Sequence, residues 1–170
     1  MKEVTIYTDG SSKGNPGPGG YGAILIYKDQ RKELSEGFRF TTNNRMELLA
    51  VIEALNSLKY PCKINLYSDS KYVIDAFNKG WLRAWKSNGW MKKDKTPVLN
   101  SDLWKKLIKL TDIHDVKFIW VKGHADNIEN ERCDLLAVNA SKSDKLSIDE
   151  VYENTEKRNS SYTIQTFTAE

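Results

Sequence analysis

Three strand-like runs precede the first helix-like run, and that order restricts the fold more than any other feature of the chain. "EVTIYTD" alternates, with Val4 and Ile6 on one face. "GYGAILIYK" and "ELSEGFRF" are two further strands joined by the charged turn "DQRK". Short connections between consecutive strands imply an antiparallel meander. The period then changes. In "NNRMELLAVIEALNSLKY", Met46, Leu49 and Ile52, with Val51, Leu55 and Leu58, recur at helical spacing, and Pro61 closes the helix. "KINLYSD" reads as a strand, "SKYVIDAFN" and "WLRAWKS" as helices divided by Gly80. "SDLWKKLIKL" is a helix capped by Asn100 or Ser101. "VKFIWV" is a last strand, "KGHADNIEN" a polar loop, and "ENERCDLLAVNASK" a last helix. The fourth and fifth strands each follow helices, so they join the sheet as parallel neighbours. The expected fold is α/β: a five-stranded mixed sheet, three antiparallel strands and then two parallel, with helices on both faces.

The 170 residues suit one domain with a tail. We place the domain at residues 1–144. Residues 145–170 are polar, lack an apolar stripe and read as a loose appendage, although the alternation in "YTIQTFT" leaves a docked terminal strand open. No run approaches the roughly 18 apolar residues of a membrane span, and "MKEVTIYTDG" lacks the apolar centre of a signal peptide. Cys62 and Cys133 have no metal spacing and give no disulfide framework, so a reducing cytoplasm is the expected setting. The net charge of +3 says little, but its distribution says more. Between Trp81 and Lys95, Arg83, Lys86, Lys92, Lys93 and Lys95 face one acid, Asp94, and Trp81, Trp85 and Trp90 lie among them. Interleaved cations and aromatics suit a nucleic-acid backbone. A solvated helix with a few core tryptophans explains the composition equally well.

Four acids carry the functional reading. Asp9 is placed where the first strand gives way to the glycine- and proline-rich "GSSKGNPGPGGYG", and Asp69 ends the fourth strand. Glu47 falls in the first turn of the helix after the meander, and Asp134 near the start of the last helix. Each has an ordinary explanation. Asp-Gly is a turn pair, Glu47 and Asp134 suit helix N-termini, and Asp69 suits an N-cap. Gathered at one end of a sheet, however, they would repel unless a cation sat among them. Hard oxygen donors without His or Cys favour Mg²⁺ or Mn²⁺.

The stretches "YTDGSSKGNPGPGGYG", "TTNNRMELLAVIEAL", "YSDSKYV", "GWLRAWKSNGW" and "WVKGHADNIENERCDLLA" occur together in one order and cover about residues 3 to 143. In this they resemble the cellular type 1 ribonuclease H family. The resemblance implies the ribonuclease H-like fold and a catalytic domain over residues 1–144. It also implies an endonuclease that hydrolyses the RNA strand of RNA–DNA hybrids and leaves 3′-hydroxyl and 5′-phosphate ends. Asp9, Glu47, Asp69 and Asp134 match the family's metal-binding acids, which hold two Mg²⁺ ions, with Mn²⁺ as a substitute. His124 in "VKGHAD" matches its loop histidine. His114 receives no role.

The same resemblance implies contacts to the hybrid. Gly10, Ser11, Asn15, Asn43, Asn44 and Lys71 match residues that line the minor groove, Lys71 standing where relatives often have Gln. Trp81, Trp85 and Lys86 belong to a basic protrusion that receives the DNA strand. Thr42 and Asn100 match two members of a DNA phosphate pocket, and Phe40 replaces its usual Arg. Trp104 and Trp120 are expected in the core. The first strand begins almost at Met1 and the Trp-Lys protrusion is intact, which sets the expectation of a free-standing enzyme, and a monomer is expected. Two alternatives stay open: the ribonuclease H part of a reverse transcriptase or mobile element, and a non-catalytic hybrid-binding protein.

Overall fold

The computed structural model describes residues 1–123 and 126–168, with side chains through residue 160. Three long strands come first: β1 (Lys2–Ser12), β2 (Gly17–Tyr27) and β3 (Gln30–Thr41). Helix α1 (Asn43–Asn56) leads to β4 (Cys62–Ser68). Then come α2 (Lys71–Asn78), α3 (Trp81–Ser87), α4 (Ser101–Ile113), β5 (Asp115–Trp120), α5 (Ile128–Ser141) and α6 (Glu150–Thr168). The sheet order is β3-β2-β1-β4-β5. β1, β2 and β3 pair antiparallel, while β4 runs parallel to β1 and β5 parallel to β4. This is the five-stranded mixed sheet that the periodicities predict.

Helices cover both faces. α1 packs on β1 and β2 and is backed by α4, while α5 crosses β2, β1 and β3. Val4 and Ile6 of β1 and Ile64 and Leu66 of β4 meet Leu48, Ile52 and Leu55 of α1 in the main core. Trp104 of α4 is fully buried, as predicted. Its indole N–H donates to the Tyr72 hydroxyl at 3.1 Å, and the rings of Tyr72, Phe77 and Trp85 surround it. A buried tryptophan with its N–H satisfied contributes area without an orphaned donor. His114 is also structural: buried, its Nδ1 accepts the Cys62 N–H at 3.1 Å.

Three sequence expectations are corrected. Asp9 does not end β1. The strand continues to Ser12, and Asp9 pairs with Gly22 in mid-sheet. Trp120 is not core. β5 is an edge strand, and Trp120 is 43% exposed there, with its indole N–H donating to the Asp69 carbonyl at 3.2 Å. Residues from Lys145 are not loose at their beginning. Ser147 bridges Phe38 beside β3, Asp149 is buried, and "YTIQTFT" lies within α6, not in a strand.

The start of α6 is fixed by charge, which explains why no apolar stripe announced it. Arg45 of α1 is buried with 4% of its side chain exposed. Its Nε and Nη2 donate to Asp149 at 2.7 and 3.0 Å, and its Nη1 and Nη2 to Asp102 of α4 at 2.9 Å each. Thr41 donates its hydroxyl to Asp149 at 2.8 Å. Burial alone would depress the Arg45 guanidinium, but hydrogen bonds and charge from Asp102 and Asp149 raise it. Tyr152 packs against the same guanidinium at 5.8 Å and against Phe40 at 5.6 Å. On the rim, Glu153 accepts a forked pair from Arg39.

Candidate active site

Asp9 is 6% exposed in the middle of the sheet, and two glycines beside it let two helices close in. A Cβ on Gly10 would lie 2.3 Å from the Glu47 amide nitrogen. A Cβ on Gly22, the residue paired with Asp9, would lie 2.4 Å from the Cys133 carbonyl oxygen. Only glycine permits backbone approaches this close. The first draws in the part of α1 that carries Glu47. The second draws in the part of α5 that carries Asp134. Asp69 follows β4, the parallel neighbour of β1, and a Cβ on Gly123 would strike its Oδ2 at 2.8 Å, so the loop after β5 arrives there. The four acids predicted from sequence therefore come from β1, α1, the end of β4 and α5.

Their electrostatics show that they share one neighbourhood. Burial, and then the charges of Asp69 and Asp134, push Asp9 up to about 9, with Glu47 adding a smaller push and the Gly10 N–H opposing at 2.9 Å. Burial and the charge of Asp69 push Glu47 up to about 7, against hydrogen bonds from Ser70 and Asn43. Asn43 Nδ2 donates to Glu47 Oε1 at 2.8 Å, and the Ser70 hydroxyl donates to Oε2. Among the described residues, no three His, Cys, Asp or Glu side chains stand close enough to enclose a metal. Both Glu47 oxygens are held by neutral donors. The donor set, all carboxylate oxygen, fits a hard divalent cation.

Three placements differ from the sequence reading. Asp134 sits mid-helix in α5, so a favourable helix terminus does not explain it, and Glu47 lies one residue past the first turn of α1. Ser70, not Asp69, caps α2, accepting the Val73 N–H at 3.2 Å. His124 lies outside the described residues.

The predicted contact residues fall into two groups. Near the acids, Asn15 Oδ1 accepts the Asn43 N–H at 3.0 Å, which joins the β1–β2 turn to the start of α1. Thr42 caps α1 by accepting the Arg45 N–H at 3.2 Å. Lys71 lies 4.9 Å above the Trp120 ring. Farther off, Trp81 and Trp85 of α3 stand with ring centroids 6.3 Å apart, and Lys79 lies 5.8 Å from the Trp81 ring. Asn100 connects the two groups, because its Oδ1 accepts from Arg45 at 3.3 Å and its Nδ2 donates to Tyr72 at 3.0 Å. Sequence reasoning missed Arg45 and Tyr72. For Arg45 the signal was present: it lies three, four and seven residues before Leu48, Leu49 and Ile52, so a charge occupies the buried stripe of α1.

The sheet order and the flanking helices define a ribonuclease H-like fold. A family model for RNase H matches residues 1–142. The chain belongs to the ribonuclease H family. It is 60% identical over 149 residues, 88% of this chain and 94% of the relative, to Ribonuclease H of Desulforamulus reducens. In structure it is similar to LC9-RNase H1, a type 1 RNase H with the type 2 active-site motif, with a TM-score of 0.77 and 30% identity over 86% of this chain and 75% of that one. LC11-RNase H1, solved in complex with an RNA/DNA hybrid, shares the fold with a TM-score of 0.64 and 24% identity, over 82% of this chain and 96% of that one. The chain is accordingly an enzyme, a nuclease of the hydrolase class.

Proposed function

We propose that this chain cuts the RNA strand of RNA–DNA hybrids by two-metal-ion hydrolysis and leaves 3′-hydroxyl and 5′-phosphate ends. The observation that carries the reading is the shared neighbourhood of Asp9, Glu47, Asp69 and Asp134, within which Asp9 and Glu47 resist ionisation. These four residues would hold two Mg²⁺ ions, with Mn²⁺ as a substitute. When bound, such ions supply charge stabilisation at the attacking and leaving oxygens of a phosphodiester. The chain's own residues do the rest. β1 holds the Asp9 carboxylate rigidly, and Asn43 and Ser70 orient Glu47. His124 would move a proton as a general acid or base.

Hybrid recognition uses Gly10, Ser11, Asn15, Asn43, Asn44 and Lys71 toward the minor groove, where the 2′-hydroxyl marks RNA. Trp81, Trp85 and Lys86 receive the DNA strand, and Thr42 and Asn100 grip one of its phosphates. Phe40 is packed on Tyr152, which leaves that pocket without its third polar member. The catalytic domain is residues 1–144, with residues 145–170 as an appended segment, and the enzyme works as a monomer in the cytoplasm. No helix among the described residues is long and apolar enough to cross a membrane.

The test is cleavage of end-labelled hybrid by the wild-type chain and by Asp9→Asn, each with Mg²⁺ and with chelator. We expect Mg²⁺-dependent cuts in the RNA strand only, 5′-phosphate products, and no cleavage by Asp9→Asn. Cleavage in chelator, or full activity of Asp9→Asn, would overturn the metal assignment.

A further inference from the structure

The end of the sheet opposite the acids holds an open pocket of about 430 Å³. Lys2 and Asp9 lie seven residues apart on β1, so the two ends are separated by about 23 Å at roughly 3.3 Å per residue. The volume falls in the ordinary range for a small-molecule site. Its floor is apolar and well buried, formed by Val4, Leu25 and Cys62.

The rim has one sign of charge. Lys2, Arg31, Lys32 and Lys59 line the pocket, and no carboxylate does among the described residues. Arg31 is already engaged by Glu33 and Glu129. The three lysines have no ion-pair partner among the described residues. The Lys2 ammonium lies 5.2 Å from the Tyr27 ring centroid and 5.8 Å from that of Tyr60, so two aromatic rings flank one cation. Tyr60 is 66% exposed and offers an open ring face. α1 ends here, and its C-terminal dipole alone would repel an anion. The lysines must therefore supply the attraction.

We propose that this pocket binds a single nucleotide, with the base stacked on Tyr60 and the phosphate held by Lys2, Lys32 and Lys59. Aromatic stacking beside free ammonium groups is the chemistry that binds unpaired nucleotides without reading sequence. The Gln30 amide, on the same rim, has a donor and an acceptor for a base edge. The nucleotide can come from solution or from the single-stranded end of a longer nucleic acid. The site is independent of hydrolysis at the acids.

The experiment titrates adenosine monophosphate, a five-nucleotide single-stranded RNA and inorganic phosphate into the full chain with chelator present, and follows backbone amide shifts by NMR. Saturable shifts at Lys2, Tyr27, Lys59 and Tyr60 are expected with the mononucleotide, the RNA or both, without saturation by phosphate over the same range. Tighter binding of the RNA identifies a strand end as the source, and equal or tighter binding of the mononucleotide identifies free nucleotide. The exposed substitutions Tyr60→Ala and Lys32→Glu with Lys59→Glu should each weaken binding at least tenfold, while the thermal midpoint stays within a degree or two. No saturable shift, phosphate binding as tight as the mononucleotide, or unchanged affinity in both variants would overturn the proposal.

Discussion

Arg45 and Glu47 sit two residues apart near the start of α1, and each enters a buried cluster of acids. Their clusters are built in opposite ways. Around Arg45, Asp102 and Asp149 share one guanidinium, and Asn100 and Thr41 satisfy further polar atoms. Around Glu47, the nearest donors are the neutral Asn43 and Ser70, and Asp69 and Asp9 add like charge. The first cluster carries its cation in the sequence. In the second, Asp9 and Glu47 have no cationic partner among the described residues, and burial with neighbouring negative charge raises both above the ordinary carboxylate range. A buried acid with a built-in cation fixes architecture, whereas one without it suits, on the proposed reading, a cation from outside.

The largest effect should come from removing the built-in cation. Arg45→Ala leaves Asp149 buried and Asp102 half-buried without their partner, a change that typically costs about 3–5 kcal/mol. In a chain of this size that lowers the thermal midpoint by roughly 10 °C. A midpoint within two degrees of wild type would show that the cluster contributes nothing to the fold.

Truncation after Ser143 comes next. It removes Asp149 and Tyr152 but leaves Asp102 on Arg45, so about 2 kcal/mol should be lost, less than in Arg45→Ala. Sequence alone predicts a near-silent truncation. Calorimetry of both chains separates the two expectations, and equal midpoints would restore the reading of a loose appendage.

Asp9→Asn should act in the reverse direction. In metal-free wild type, Asp9 has a folded value of about 9 against an ordinary 3.8. A raised folded value means stability that is full below the unfolded value and is lost as pH rises toward the folded one. The slope is at most about 1.4 kcal/mol per pH unit. The amide carries no such penalty. In chelator, Asp9→Asn should thus be more stable than wild type above about pH 4, with the gap widening as pH rises toward 9. A gap that shrinks with rising pH would show that burial of Asp9 carries no ionisation penalty.

The smallest effect concerns the protrusion. Lys86→Glu with Lys92→Glu should flatten the salt dependence of hybrid binding by about one unit of log–log slope for each phosphate that the protrusion no longer neutralises. Equal slopes would place the DNA strand elsewhere.

Much of this architecture was legible in the sequence because local period and tertiary burial agree in the sheet and in α1. The acids were legible because their motifs stand in order along the chain. Other features were hidden for identifiable reasons. Gly10 after Asp9 read as part of a turn, yet it is a strand residue, and its missing side chain and that of Gly22 admit α1 and α5. The Arg45 cluster joins residues 57 and 104 positions apart, which no local pattern records. α6 carries no buried apolar stripe in its first turns and is docked by Asp149, Tyr152 and Glu153, so hydrophobic periodicity could not find it. Trp120 reads as core from its apolar neighbours, but β5 has an open edge.

The contrast between the two clusters is tested most directly by counting protons during metal binding. Mg²⁺ titrated calorimetrically into the chain at pH 7, in buffers of different ionisation enthalpy, reports the protons released per ion bound. Asp9, held up at about 9, and Glu47, at about 7, must lose protons to become ligands. Release of about one proton or more is expected at pH 7, with a decline above pH 9 and substantial loss of the release in Asp9→Asn. Mg²⁺ binding with no proton release at pH 7 would contradict the assignment of the second cluster as a cation site held ready by its own protons.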